Sequence, residues 1–365
     1  MAENIMETMM QESARVQQKL LKGFESMMQI RDMEEGVTPR EVVYREDKIQ
    51  VFHYKPEGED ICPVPLLIVY ALVNRQYMMD IQDNLSLFRK LIGQGLDLYV
   101  IEWGYPSKMD KYLTMEDYVD GYINNVVDFI RESTGSEKVN ILGVCQGGAL
   151  STIYAALYPD KVQNLVVMVA PIDLDTTDGL LQVWAKFFDV DLMVDTIGNV
   201  PGDFLNLVFL WLKPFQLIID KYVGLLDRLD DPETVKYFLR MEKWIFDSPD
   251  QAGETFRKYV KELFQENLLC KGEFKLGGRT VDLRNITMPV LNLFGEQDHL
   301  VPPYCSKPLA DLVGTKDVTT IAYPVGHIGM YVSSKAQKEM PPTVANWLKE
   351  RSAPRKAKGP GKEKS

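Results

Sequence analysis

Short, continuous apolar runs alternate with helical segments along most of this chain, and this alternation restricts its fold more than any other feature. The clearest runs in the first half are residues 64–70, 96–103, 138–144 and 165–170, and helical segments separate them. Strands that are apolar along their whole length are typical of parallel sheets with helices covering both faces. The sequence therefore predicts an α/β protein built on a mostly parallel, doubly wound sheet.

The strand pattern is interrupted in the second half of the chain. Residues 176–285 carry many large aromatic side chains on helical segments, and no clear buried strand divides them. Strand-like runs return at residues 288–295 and 318–323, before a final helical segment at residues 334–350. We predict a core with an inserted helical cap. The core comprises residues 36–175 and 286–350, and the cap comprises residues 176–285.

The two ends of the chain fall outside this pattern. Residues 1–35 show helical periodicity with a Met-rich apolar face, so we predict an N-terminal helical segment that packs on the core or on a partner. Residues 351–365 are rich in Lys, Gly and Pro, a composition that cannot bury a core. We expect a disordered basic tail there, with contact to an anionic surface as the alternative.

Composition and charge narrow the class of protein further. The formal net charge of −11 argues against nucleic-acid binding. No apolar run reaches the length of a membrane span, and the N-terminus does not have the pattern of a secretory signal. The four cysteines have no paired spacing, which indicates free thiols, no metal site and a cytoplasmic location.

The most informative motif is Gly-Val-Cys-Gln-Gly at residues 143–147, which follows an apolar run and opens a helical segment. This is the setting of a nucleophile elbow, with Cys145 at the position where most hydrolases have serine. The start of the helix and a nearby histidine would both favour a thiolate. We predict that the N–H of Gln146 forms half of an oxyanion hole and that Val73 or Asn74 supplies the other half. The alternative is a glycine-rich turn with a buried structural cysteine.

Candidates for the base and the acid lie in two later loops. His327 follows the last predicted strand and is flanked by glycines, as the base is in the α/β-hydrolase fold. Asp298 follows the preceding strand and is the predicted acid, with Glu296 as the alternative. His299 adjoins Asp298, and adjacent loop side chains usually diverge, so we predict that it packs beside the site, where it lines the substrate pocket together with Asn74. The order nucleophile, acid, histidine predicts the α/β-hydrolase fold.

Six stretches together resemble the polyhydroxyalkanoate synthases. The short chain and the Val-Cys-Gln version of the elbow resemble the catalytic subunit of the two-subunit, class III enzymes. The stretches that carry the resemblance are residues 67–75, 97–104, 143–148, 243–256, 298–303 and 326–329.

The resemblance implies a polymerising acyltransferase that makes a poly(3-hydroxybutyrate)-type polyester from (R)-3-hydroxyacyl-CoA and releases CoA, without a cofactor. Cys145 would carry the acyl group and His327 would be its base. Asp298 would orient His327 or help to activate the incoming hydroxyl. The resemblance also implies a second, non-catalytic synthase subunit of the PhaE kind, a homodimer of catalytic subunits, and cytoplasmic granules on whose surface the polyester grows.

The local chemistry leaves two other functions open. One is a hydrolase or thioesterase of the same fold with a cysteine nucleophile. The other is a non-catalytic granule or scaffold protein. The complete set of nucleophile, acid and base in the expected chain order argues against the second.

Overall fold

The computed structural model describes residues 35–352 and residue 18. The predicted N-terminal helical segment, apart from residues 18 and 35, lies outside the described residues, as does the predicted tail beyond residue 352.

An eight-stranded sheet forms the centre of the described chain, and its order is β1-β2-β4-β3-β5-β6-β9-β10. The pairs β1–β2 and β2–β4 are antiparallel. All the pairs from β4 to β10 in this order are parallel. The predicted mostly parallel α/β architecture is therefore confirmed. The strands, with a separate two-stranded hairpin of β7 and β8, are β1 (Glu41–Glu46), β2 (Ile49–Tyr54), β3 (Leu66–Val69), β4 (Leu98–Glu102), β5 (Val139–Val144), β6 (Val162–Met168), β7 (Lys275–Leu276), β8 (Arg279–Thr280), β9 (Val290–Gly295) and β10 (Val318–Tyr323).

Both faces of the sheet are buried, and β6 shows how the sequence achieves this. Leu165 and Val167 pack into one apolar cluster, whereas Val166 and Met168 pack into another. Successive side chains of a strand point to opposite faces, so a continuous apolar run places apolar side chains on both. The helices of the core are α1 (Leu87–Gly93), α2 (Asn124–Thr134), α3 (Gln146–Leu157), α11 (Pro303–Ser306), α12 (Leu309–Leu312), α13 (Gly329–Val332) and α14 (Ser334–Ser352).

The helical insertion lies between β6 and β9. It contains two π-helical segments, Phe215–Asp220 and Tyr259–Gln265, and the short β7–β8 hairpin. Its α-helices are α4 (Leu180–Phe187), α5 (Val190–Ile197), α6 (Gly202–Trp211), α7 (Lys221–Leu226), α8 (Pro232–Phe246), α9 (Gly253–Lys258) and α10 (Leu268–Lys271).

The final helix, α14, includes the first two residues of the predicted tail. Arg351 pairs with Asp317 at 2.9 Å, and the buried Ser352 hydroxyl lies 3.1 Å from Asn140 Nδ2. Composition alone gives no sign of these contacts, because their partners lie far away in the sequence.

Within residues 35–352, no single helix is long and apolar enough to cross a bilayer. The bent pair Gly202–Trp211 and Phe215–Leu226 meets the criteria of length and apolarity only when its two arms are taken together.

Helix α3 begins in direct contact with the end of β3. A Cβ atom on Gly147 would lie 2.2 Å from the backbone oxygen of Val69 and 2.5 Å from that of Tyr70. Such distances are far below van der Waals contact, so only glycine fits between this helix and the sheet.

We expect Gly147→Ala to lower the free energy of unfolding by about 3 kcal/mol or more, because backbone atoms must move apart to admit the methyl group. Urea denaturation followed by circular dichroism measures this change. Gly121→Ala is the matched control: a Cβ at Gly121 meets nothing within 4 Å, and we expect that variant to be neutral or slightly more stable. Equal stabilities of the two variants would contradict this packing.

Candidate active site

Cys145 occupies a strained turn between β5 and α3. Its backbone has φ 53° and ψ −124°, a conformation that non-glycine residues rarely adopt. The Cys145 N–H donates a hydrogen bond to the Met168 carbonyl at 2.9 Å. A Cβ on Gly143 would lie 2.6 Å from Ser151 Oγ and 2.7 Å from the Gly147 carbonyl. The small residues of the motif are therefore required by close contacts on both sides of the cysteine.

His327 and Asp298 come together from two separate loops. His327 Nδ1 lies 2.6 Å from Asp298 Oδ2, and both side chains are buried. Asp298 Oδ1 accepts hydrogen bonds from the N–H groups of Leu300 and Val301, each at 2.9 Å. Glu296, the alternative acid, is exposed. The structure thus pairs His327 with Asp298.

The electrostatic surroundings of His327 favour its protonated form. Burial alone lowers the pKa of His327, but the Asp298 carboxylate and the Cys145 sulfur outweigh burial and raise the pKa to about 10. Because Asp298 occupies Nδ1, Nε2 is the ring nitrogen left for the sulfur.

Gln146 connects the elbow to the rest of the site. As the first residue of α3, it has an N–H that no helical carbonyl can reach. Its side chain Oε1 accepts a hydrogen bond from the Leu72 N–H at 3.2 Å, and its Nε2 donates to Gln251 Oε1 in the cap at 3.3 Å. Since the Leu72 N–H is engaged, the N–H of Val73 is the better candidate for the second oxyanion donor.

Asn74 contacts the cap through its side-chain amide. Its Nδ2 donates to Ser248 Oγ and to the Ile245 carbonyl, the latter at 3.4 Å. Asn74 also lines the central cavity. The predicted substrate-binding residue therefore fastens the loop after β3 to the cap, a contact that the sequence did not indicate.

A cavity of about 920 Å³ lies between the core and the cap, and Cys145 and His327 are in its wall. Val73, Asn74 and His299 line it as well, so all the predicted site residues except the buried Asp298 border the same space. Most of the lining is aromatic or aliphatic. The cap contributes, among others, Trp184, Phe188, Phe209, Trp244, Phe256 and Tyr259.

His299 differs from His327 in its electrostatic surroundings. Burial and the positive charge of Lys213 lower the pKa of His299. A histidine with a lowered pKa is neutral at pH 7. His299 therefore presents an uncharged ring to the cavity.

The other three cysteines have different surroundings from Cys145. Burial raises the pKa of Cys270 and of Cys305 to about 12, so both remain neutral thiols, and Cys62 is buried. Within the described ranges, no group of three or more His, Cys, Asp or Glu side chains could hold a metal ion.

Two residues of the site could not be predicted from the sequence. Gln251 and Tyr259 in the cap were not singled out, although the aromatic composition of the cap indicated the nature of the cavity wall. Gln251 lies within residues 243–256, one of the stretches that carry the resemblance, but nothing in that stretch marks a role for it, and no motif surrounds Tyr259. The proximity of both residues to Cys145 depends on how the cap folds over the sheet.

The chain matches two family models. The model described as alpha/beta hydrolase fold matches residues 64–333, and the model described as poly-beta-hydroxybutyrate polymerase (PhaC) N-terminus matches residues 3–91. The two models overlap and together span most of the chain.

Curated relatives agree with these models. The poly(3-hydroxyalkanoate) polymerase subunit PhaC of Allochromatium vinosum is 54% identical over 93% of this chain and 97% of its own length. The protein of the same name from Synechocystis is 52% identical over 92% of this chain and 91% of its own length.

Solved structures share the fold. The monoacylglycerol lipase of Paleococcus ferrophilus matches with a TM-score of 0.52 and 17% identity, over 84% of this chain and all of its own. An esterase from Thermogutta terrifontis matches with a TM-score of 0.51 and 14% identity, over 87% of this chain and all of its own. Together with the parallel sheet, these matches confirm the predicted α/β-hydrolase fold.

We expect iodoacetamide to alkylate Cys145 fastest of the four cysteines, because only Cys145 lies beside an imidazolium. In His327→Gln the alkylation rate of Cys145 near neutral pH should fall about tenfold or more, since the stabilising positive charge is lost. Peptide mass mapping against time measures the rates. His53→Gln is the control and should alkylate like the wild type, and an unchanged rate in His327→Gln would contradict the interaction.

Proposed function

This chain belongs to the poly(3-hydroxyalkanoate) polymerase family, and from that membership we propose that it polymerises (R)-3-hydroxyacyl-CoA through an acyl group carried on Cys145. Family members of this kind are acyltransferases that form polyester, and 3-hydroxybutyryl-CoA is the short substrate that the resemblance favours. The observation that carries the proposal is that His327, paired with the buried Asp298, borders the same apolar cavity as the strained Cys145.

The first step transfers the acyl group from CoA to the enzyme. In the resting pair His327 Nε2 already holds the proton of the Cys145 thiol, and the sulfur attacks the carbonyl carbon of the thioester. The N–H groups of Gln146 and Val73 stabilise the negative oxygen. The bond to the CoA sulfur then breaks, and His327 returns the proton to that sulfur. One thioester replaces another, so this step is nearly isoenergetic.

The second step forms the ester bond of the polymer. The 3-hydroxyl of another acyl unit gives its proton to His327 and attacks the acyl carbon on Cys145. The carbon–sulfur bond breaks, and His327 protonates the departing sulfur. Converting a thioester to an ester is downhill, which explains the use of cysteine: a serine nucleophile would already hold the acyl group as an ester.

The contacts of Asp298 support a positioning role. One of its oxygens bonds His327 Nδ1, and the other accepts two backbone N–H groups. Both carboxylate oxygens are thus engaged, and the side chain is fully buried. This favours the first of the two predicted roles, orientation of His327, over direct activation of the incoming hydroxyl.

Exclusion of water separates a polymerase from a thioesterase. The apolar cap side chains around the cavity would keep water from the acyl group on Cys145. A cysteine hydrolase of this fold is the alternative function. It would release free 3-hydroxy acid together with CoA, whereas a polymerase leaves polymer.

The assembly and location of the protein are also part of the proposal. From the resemblance to class III enzymes we infer a second, non-catalytic subunit, a homodimer of catalytic subunits, and work at the surface of a polyester granule in the cytoplasm. The exposed apolar side chains of the cap support a covered surface there; the most exposed are Phe187, Phe215, Leu192 and Phe246.

Substitution of the proposed site residues tests the chemistry. We expect Cys145→Ala and His327→Gln to abolish CoA release from 3-hydroxybutyryl-CoA, because no nucleophile or no base remains. Asp298→Asn should slow chain growth by about 100-fold or more, since the imidazole loses its orientation and its charge partner. A thiol-reagent assay and polymer analysis provide the measurements.

Cys270→Ala is the control, because Cys270 is a neutral thiol hydrogen-bonded to the Ile172 carbonyl. Full activity in Cys145→Ala would refute the mechanism.

The two-subunit assignment has a separate test. We expect the purified chain alone to release CoA slowly, and addition of a class III non-catalytic subunit to raise the rate by about tenfold or more, as an assembled complex positions its groups better. The same assay with an unrelated acidic protein is the control. Full-rate polymerisation by the chain alone would count against the second subunit while leaving the chemistry intact.

A further inference from the structure

Tyr259 carries a buried hydroxyl with no hydrogen-bond partner in the described part of the chain. The residue is only 5% exposed and begins the π-helical segment Tyr259–Gln265 of the cap. Leaving a buried hydroxyl unpaired costs about 1–3 kcal/mol. Phenylalanine would fill the same space without this cost, so the hydroxyl calls for an explanation outside the folding of the chain.

The position of Tyr259 indicates where a partner could come from. Its side chain lines the cavity that Cys145 also borders. Burial first, and then the neighbouring Cys145, raise the pKa of Tyr259 well above its ordinary value. The phenol therefore keeps its proton at neutral pH and acts as a hydrogen-bond donor.

The ring of Tyr259 is held from the side by other aromatic and apolar groups. Its centroid lies 5.8 Å from that of Phe264, and the ring packs in the same apolar cluster as Cys305 and Val301. A ring fixed in this way presents its hydroxyl in one direction, which suits the recognition of a single oxygen atom.

We propose that Tyr259 donates a hydrogen bond to the oxygen on C3 of the acyl group carried by Cys145, and thereby selects 3-hydroxyacyl over unsubstituted acyl groups. This inference rests on the proposed function. A short 3-hydroxyacyl group has two oxygens. In the proposed mechanism, the carbonyl oxygen on C1 accepts hydrogen bonds from the N–H groups of Gln146 and Val73. The oxygen on C3, a hydroxyl at first and an ester oxygen after elongation, remains for a donor from the cap.

The selection would follow from the cost of an unpaired hydroxyl. An unsubstituted acyl group fills the cavity but leaves the Tyr259 hydroxyl without a partner, whereas a 3-hydroxyacyl group satisfies it. A site that hydrogen-bonds a substrate oxygen rejects the analogue that lacks this oxygen more strongly than a purely apolar pocket does.

The test compares two substrates on the full-length protein, together with its second subunit if activity requires it. Rapid quenching measures the first CoA released per enzyme from 3-hydroxybutyryl-CoA and from butyryl-CoA, which can acylate Cys145 but cannot extend a chain. In Tyr259→Phe we expect the rate with 3-hydroxybutyryl-CoA to fall about 10- to 100-fold. The rate with butyryl-CoA should stay the same or rise. The ratio of the rate with 3-hydroxybutyryl-CoA to the rate with butyryl-CoA therefore falls.

Tyr222→Phe is the control, because Tyr222 is a cap tyrosine outside the cavity wall, and its hydroxyl donates a hydrogen bond to Glu242 Oε2 at 2.6 Å. We expect its ratio to equal that of the wild type. Urea denaturation adds a second measurement: Tyr259→Phe should be as stable as the wild type or more stable, since it loses only an unpaired hydroxyl.

The outcomes separate this inference from the proposed function. If the wild type releases CoA from 3-hydroxybutyryl-CoA and Tyr259→Phe keeps the wild-type ratio, or slows both substrates equally, the inference is wrong and the proposed function stands. If the wild type releases no CoA from 3-hydroxybutyryl-CoA, the proposed function fails and the inference fails with it.

Discussion

The contact between the first turn of α3 and the end of β3 is the constraint on which the site depends. At Gly147 there is no room for a side chain between the helix and the backbone oxygens of Val69 and Tyr70, at the end of β3. The chain can enter this helix only through a sharp turn, and Cys145 takes a positive φ to make it. Its sulfur is thereby raised to the cavity wall, and the free N–H groups of the helix start lie beside it. The strained backbone is thus at the proposed nucleophile.

The second requirement is that the buried Asp298 side chain remains a charged carboxylate. A carboxylate in the position of Asp298 would be costly without partners, but two backbone N–H groups and His327 satisfy it. The buried carboxylate in turn holds a proton on His327, against the tendency of burial to remove it. The positive charge of His327 thus depends on the loop after β9, whose backbone N–H groups stabilise the Asp298 carboxylate.

The cap is joined to the core by polar contacts around an apolar space. Gln251 bonds Gln146 beside the elbow, and Asp247 of the cap accepts a hydrogen bond from Arg75 at 3.0 Å. Arg75 is also paired with Glu102 at 3.1 Å, which keeps this buried cation neutralised. These polar links lie at the edge of the site, and the aromatic residues enclose its centre. Such an arrangement joins the cap to the core over Cys145 and surrounds an apolar cavity.

The mostly parallel sheet could be predicted from the sequence and is confirmed, and the sequence also led to the predictions of an inserted cap and of Cys145, Asp298 and His327 as site residues. Continuous apolar runs indicate which segments can be buried strands. The elbow motif and the chain order of the candidate residues can also be read directly from the sequence. Only the tertiary structure decided that Asn74 holds the cap, that Gln146 bridges to Gln251, and that Tyr259 is left with an unpaired hydroxyl. These contacts join residues far apart in the chain, and a linear pattern carries no information about the distances between them.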